Sequence, residues 1–185
     1  MKKKKWIILA AVLLVAGVFA FLIIRINMKF PSTEEAVYPM NEPVLLSNGV
    51  SVRVNGARWL SEAEKFEYNV VETEEGGVFM TAAVSITATN EGTEKVRPEL
   101  YSFELESCAY GQGLNLSAFH SINSEAENVS ASPTLGPGES VTGVFPYTIF
   151  EEQFPPEDWE HITEREFWLV INLYPQKQSI RLTIE

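Results

Sequence analysis

The run from Trp6 to Ile24 holds 19 residues without a charged or strongly polar side chain. An α-helix rises 1.5 Å per residue, so such a run covers roughly 28 Å, close to the ~30 Å hydrocarbon core of a bilayer. Lys2, Lys3, Lys4 and Lys5 precede it, and Arg25 and Lys29 close it. This cationic bias, under the positive-inside tendency, puts the lysine end in the cytoplasm and the chain after about residue 30 outside. Trp6 then sits at headgroup level. The expected organisation is a basic cytoplasmic tail (1–5), a transmembrane helix (6–24), an extracytoplasmic linker (25–43) and a folded domain (44–185).

Two rival readings of the N-terminus stay in view. The lysines also suit the first part of a cleaved signal peptide, with Val18-Phe19-Ala20 offering a peptidase site. The apolar run continues through Phe21-Leu22-Ile23-Ile24, which favours a retained span. Leu14-Val15-Ala16-Gly17 leads toward a bacterial lipidation signal, but Val18 stands where cysteine would be needed.

Beyond residue 30 the chain carries all 25 acids and only eight of the 14 Lys and Arg residues, a formal charge of −17. Such a surface repels phosphates, which argues against DNA or RNA as a partner. Cys108 is the only cysteine, so no intramolecular disulfide can form and an external domain must rely on its core.

Pro31 to Pro43 has three prolines and no apolar period, and reads as a semi-extended tether. Val44-Leu45-Leu46 starts a first strand, and Asn48-Gly49 is the strongest hairpin signal in the chain. Val50, Val52 and Val54 alternate with polar residues toward Leu60. Ser61–Gly77 reads as an acidic loop with one helical turn near Glu62–Phe66. Val78–Thr89 is the clearest strand, with Val78, Met80, Ala82, Val84, Ile86 and Ala88 on one face. Further strands are expected from Pro98 (Tyr101, Phe103 and Leu105 inward), at Leu114–Phe119, at Val141–Ile149 and at Phe167–Tyr174, and the last begins near Ile180. Phe150–Glu166 is acidic, with Phe154, Trp159 and Ile162 spaced as on a short helix or coil. Seven to eight strands and no long helix after the span predict an all-β fold, a β-sandwich preceded by one N-terminal transmembrane helix.

Several of these signals fall in a familiar order. The Asn48-Gly49 hairpin leads to Trp59, a strand ends at Thr87-Ala88-Thr89-Asn90-Glu91-Gly92, and Leu135-Gly136-Pro137-Gly138-Glu139-Ser140-Val141-Thr142-Gly143 precedes Phe145. From Pro43 to the C-terminus the chain resembles the immunoglobulin-like ectodomains of unknown function in membrane-anchored proteins and lipoproteins of Gram-positive bacteria. Val18 departs from the lipoprotein members. The resemblance implies an immunoglobulin-like β-sandwich outside the cytoplasm, and it supplies no catalytic residues.

Signals for chemistry are sparse. His120 and His161 belong to no zinc-binding spacing, no Gly-x-Ser-x-Gly elbow occurs, and Gly136-Pro137-Gly138 lacks the helix and basic residue of a phosphate loop. All but one of the 25 acids are Glu, whereas calcium loops rely on short side chains and Asp158 is the only Asp. No metal, cofactor or catalytic residue is expected. The favoured function is a binding or accessory module of the bacterial cell envelope, with an envelope hydrolase as the rival. Its partners are the bilayer, through Trp6–Ile24, and an unknown envelope protein or cationic ligand.

The candidate partner site is an acidic end of the sandwich. If Leu114–Phe119 is a strand, loops Ser61–Gly77 and Phe150–Glu166 emerge at the same end. They hold thirteen acids against Lys65 and Arg165. Glu74, Glu75, Glu151 and Glu152 form the expected charged rim, with Phe154 and Trp159 as apolar anchors. The competing expectation is a solvated acidic cap with those aromatics folded onto the core.

Overall fold

The computed structural model describes residues 2–29, 34–70, 77–126 and 129–185. They form two compact units, which divide at Glu34 and Glu35. The first is one helix, α1 (Lys2–Lys29). Its described side chains are Trp6, residues 12–26, Met28 and Lys29, and all of them are exposed. Among the described residues no helix is long and apolar enough to cross a membrane. Five side chains of the expected span, residues 7–11, lie outside that description.

The second unit is a β-sandwich. In chain order it comprises β1 (Glu35–Tyr38), β2 (Val44–Leu45), β3 (Val50–Trp59), α2 (Glu62–Glu67), β4 (Phe79–Asn90), β5 (Glu104–Ser107), β6 (Tyr110–Gln112), α3 (Leu116–Ile122), β7 (Ser140–Phe150), α4 (Pro156–Glu160), β8 (Phe167–Asn172) and β9 (Lys177–Leu182). One sheet runs β1-β9-β8-β5-β6 and the other β2-β3-β4-β7. Every pairing is antiparallel except β1 with β9.

The alternation read from the sequence sets the inner face. Val50, Val52 and Val54 of β3, with Ala82, Val84, Ile86 and Ala88 of β4, are buried against Leu105, Leu169 and Ile180 of the other sheet. Burying one such side chain contributes about 1.5–3 kcal/mol, so this face holds the two sheets together. Asn48 and Gly49 make the expected turn: Gly49 has φ +79°, and the Asn48 side chain accepts from the Val50 amide at 3.2 Å. β3 and β9 run the same way, since Ala57 bridges Ile184 in parallel. The sandwich therefore has a near end, where β1 and β3 begin, and a far end, where β3 finishes at Trp59.

Several expectations are corrected. Among the described residues there are nine strands, where seven to eight were expected. The expected linker contains a strand, because Glu35–Tyr38 pairs with Lys177–Ile180. Leu114–Phe119 is not a strand. Asn115 caps the amide of Ala118 at 3.1 Å and starts α3, which shields the edge of β7. Tyr101 lies in a helical turn before β5 and is 46 % exposed, while Phe103 and Leu105 point inward as expected. Val78 is exposed, and Phe79 next to it is buried on the opposite face. There Leu60, Val70, Phe79, Ala83 and Ala118 form a second, smaller core under α2 and α3.

Candidate functional site

The far end carries the acidic segments. Phe79 opens β4 in register with Phe150, the last residue of β7, and the Glu151 amide donates to the Val78 carbonyl at 2.9 Å. The segments after β3 and after β7 thus leave the same end, as the strand count anticipated. The passage that restores the parity is β6, not Leu114–Phe119. Glu151 and Glu152 are exposed, and with Gly77, Val78 and Phe150 they line a depression of about 240 Å³. Glu74 and Glu75 lie outside the described residues.

The two aromatics do not stand in the acidic rim. Phe154 is 7 % exposed in the core, its ring 4.3 Å from that of Tyr110 and 6.0 Å from that of Trp159. Trp159 is half-buried against the same core. The reason is local: the Phe154 amide closes a helical turn on the Glu151 carbonyl at 3.0 Å, and burial of the ring outweighs exposure. Arg165 lies 5.6 Å from the Phe154 ring centre and pairs with Asp158 at 3.0 Å, sealing this face. The exposed apolar groups beside the acids are instead Val78 and Phe66, which is 90 % exposed on α2.

Some of the acids hold the far end together. Ser61 and Glu64 form a capping box at the start of α2, and Glu64 grips the Arg58 guanidinium at 2.6 and 3.0 Å. The hydrogen bond from Arg58, then those from the Ser61 amide and hydroxyl, lower the Glu64 carboxyl to about 2. Lys65 is buried over the Phe79 ring and donates to Glu62 at 2.7 Å and to the Phe79 carbonyl at 3.0 Å. Glu166 pairs with Arg181. Glu151 and Glu152 have no ion pair among the described residues.

A second concavity lies on the outer face of the β3–β4 sheet. β3 bulges between Val54 and Gly56, so Asn55 and Gly56 fall side by side on the outer face, and Gly56 leaves its floor open. Asn41, Asn55, Arg58, Tyr68, Ser85 and Glu185 supply the polar lining of a groove of about 700 Å³, with Leu60, Ala83, Ile122 and Val144 as its apolar part. Asn55 is oriented by donating to Thr87 at 2.9 Å and Ser85 at 3.4 Å. Sequence reasoning missed this groove. The available signal was a glycine inside an alternating strand, which marks a bulge or a close approach.

Among the described residues no group of three or more His, Cys, Asp or Glu is placed to hold a metal ion. His161 lies 3.6 Å from Glu164, and His120 packs edge-on to Phe119. Cys108 is exposed in the two-residue turn between β5 and β6, with φ +55°.

Known proteins place the fold. A conserved hypothetical protein of Bacillus anthracis is similar over 77 % of this chain and 94 % of its own, at 17 % identity and a TM-score of 0.50. A secreted protein of Mycobacterium tuberculosis is similar over 82 % and 98 %, at 10 % identity and a TM-score of 0.50. An uncharacterised β-sandwich protein of Clostridium difficile covers 80 % and 95 %, at 9 % identity and a TM-score of 0.44. At these identities the first two likenesses speak for the fold and not for an activity. No curated protein matches the chain. Residues 35–178 match a family model, and the chain belongs to the family described as Domain of unknown function (DUF5028).

Proposed function

We propose that this is a single-pass membrane protein that holds an immunoglobulin-like β-sandwich outside the cell, where it binds a cationic partner in the envelope. The anchor part rests on α1. Its described apolar side chains, from Val12 to Met28, are exposed on every side of the helix, and no polar face is present between Trp6 and Ile24. A helix that is apolar all round needs an apolar surround, which a bilayer supplies.

The observation that carries the binding role is the arrangement of Glu151 and Glu152 around an apolar depression at one end of a rigid sandwich. A lysine or arginine of a partner can lay its aliphatic stem on Val78 and Phe150 and present its charge to the two carboxylates. The role we read for these groups is recognition.

Binding of an oligolysine peptide to the full chain in detergent tests this reading. Affinity should fall with salt and drop at least severalfold in Glu151→Gln/Glu152→Gln. It should hold in Glu91→Gln/Glu139→Gln, which removes as much charge from the near end. Equal losses in both double variants would reduce the effect to net charge and reject the site.

The outer groove supports a second binding reading. Its mixed polar and apolar lining at about 700 Å³ suits a neutral polar ligand such as a glycan segment. Ser85→Trp fills the floor, and should abolish any binding of soluble peptidoglycan fragments while leaving oligolysine binding unchanged.

A further inference from the structure

We propose that the turn between β2 and β3 is a self-modifying site, at which Asn48 loses its side-chain amide to attack by the Gly49 nitrogen, whereas Asn55 is held unreactive by the β3–β4 sheet. This chemistry depends on neither the anchor nor the binding sites above.

An asparagine followed by glycine is the pair most open to the reaction, because no side chain on the second residue hinders its nitrogen. The chain has two such pairs, Asn48-Gly49 and Asn55-Gly56. The glycine N–H gives its proton to solvent base, the nitrogen bonds to the asparagine Cγ, and the bond from Cγ to the side-chain nitrogen breaks. The departing nitrogen takes up a proton and leaves as ammonia. Water then opens the succinimide ring at either carbonyl, leaving aspartate or an isoaspartyl link at that position.

Geometry sets the two pairs apart. Asn48 is exposed in the hairpin loop, which the Gly49 amide closes on the Leu46 carbonyl at 3.1 Å. Gly49 stands at φ +79°, and the atoms nearest to where a side chain would begin are those of Gly92 at 3.9 Å, so the nitrogen is not crowded. The Val50 amide donates to Asn48 Oδ1 at 3.2 Å. That bond draws the side chain back over the turn and aims an N–H at the oxygen that turns negative as Cγ is attacked. Asn55 is half-buried, and both ends of its amide are engaged. Its nitrogen donates to Thr87 at 2.9 Å and to Ser85 at 3.4 Å, and its oxygen accepts from Arg53 Nε at 3.2 Å. Gly56 is itself in register with Ser85. Bringing Asn55 Cγ onto the Gly56 nitrogen therefore breaks these bonds and distorts a paired strand.

The product alters the fold locally. An isoaspartyl link lengthens the backbone of a loop that fixes Val44 opposite Val52 and Leu45 opposite Ser51. The same loop is tied to the next hairpin by the Glu91 amide, which donates to the Gly49 carbonyl at 2.9 Å. Ageing thus loosens β2, whose Val44 is buried in the core, and adds a negative charge to an acidic domain.

The test incubates the full chain in detergent and mildly alkaline buffer, folded and in urea. Cleavage after Arg53 puts the two asparagines on separate peptides, and mass spectrometry with separation of isoaspartyl forms reads each. In the folded chain position 48 should convert severalfold faster than position 55, and in urea the two rates should draw level. Thr87→Val, which removes the shortest bond to Asn55, should raise the folded rate at 55 and leave that at 48 unchanged. A folded chain in which 55 keeps pace with 48, or in which 48 stays intact, overturns the proposal. The same preference persisting in urea assigns it to neighbouring residues instead of the fold, and overturns it as well.

Discussion

Val84 and Ser85 are neighbours with opposite surroundings. Val84 is fully buried between the sheets, whereas Ser85 lies on the outer face and accepts from Asn55. Val84→Asp places a charge where neither water nor a counter-charge reaches it, at a cost of several kcal/mol. Ser85→Asp faces the groove and should be far milder. Thermal melting of the two variants checks the assignment, and equal melting temperatures would contradict it. Glu64 gives a pH signature. Its carboxyl is lowered from 4.5 to about 2, chiefly by Arg58, so its stabilisation is present above about pH 4.5 and is lost as pH falls toward 2. The melting-temperature gap between the native chain and Glu64→Gln should be full at pH 6 and close between those limits. A gap independent of pH would remove Glu64 from the account. Tyr147 shows what residue-level reading misses. It lies fully buried on the inner face of β7, yet its hydroxyl has no hydrogen-bond partner in the described structure, and burial pushes its pKa up.

At the scale of elements, β7 is an edge strand kept from pairing with other chains by α3. The Asn123 amide accepts from the Val144 N–H at 3.0 Å and donates to the Val144 carbonyl at 2.8 Å, standing in for a neighbouring strand. The Asn115 N–H takes the Pro146 carbonyl at 2.9 Å. Asn123→Ala leaves these backbone groups unpaired and should cost roughly 1–3 kcal/mol. It should also open the edge to self-association, and urea unfolding with size-exclusion chromatography reads both effects. The long strands β3, β4 and β7 were legible because apolar residues recur at period 2 along the face turned to the other sheet. Leu114–Phe119 was misread because its apolar residues, Leu114, Leu116 and Phe119, also fit a helix capped by Asn115. β1 was hidden by the prolines around it and by having only four residues, whose pairing with β9 is non-local.

For the whole molecule, the sequence carried the division into helix and sandwich and the clustering of acids at one end. It misassigned the apolar groups in that cluster, because the spacing of Phe154 and Trp159 cannot say which side of a short helix meets the core. The groove at the β3 bulge depends on register between strands, and Gly56 was its one local sign. Retention of α1 should keep the chain in the membrane fraction through alkaline carbonate washing, whereas release of a protein beginning near Phe21 would identify a cleaved leader. The central claim is that the sandwich lies outside the cell with its far end exposed, and Cys108 reports on it without any substitution. It is the only cysteine and is exposed at the β5–β6 turn of the far end. A membrane-impermeant maleimide applied to intact cells expressing the chain should label Cys108 as fully as it does after permeabilisation. Labelling that appears only after permeabilisation would contradict the account.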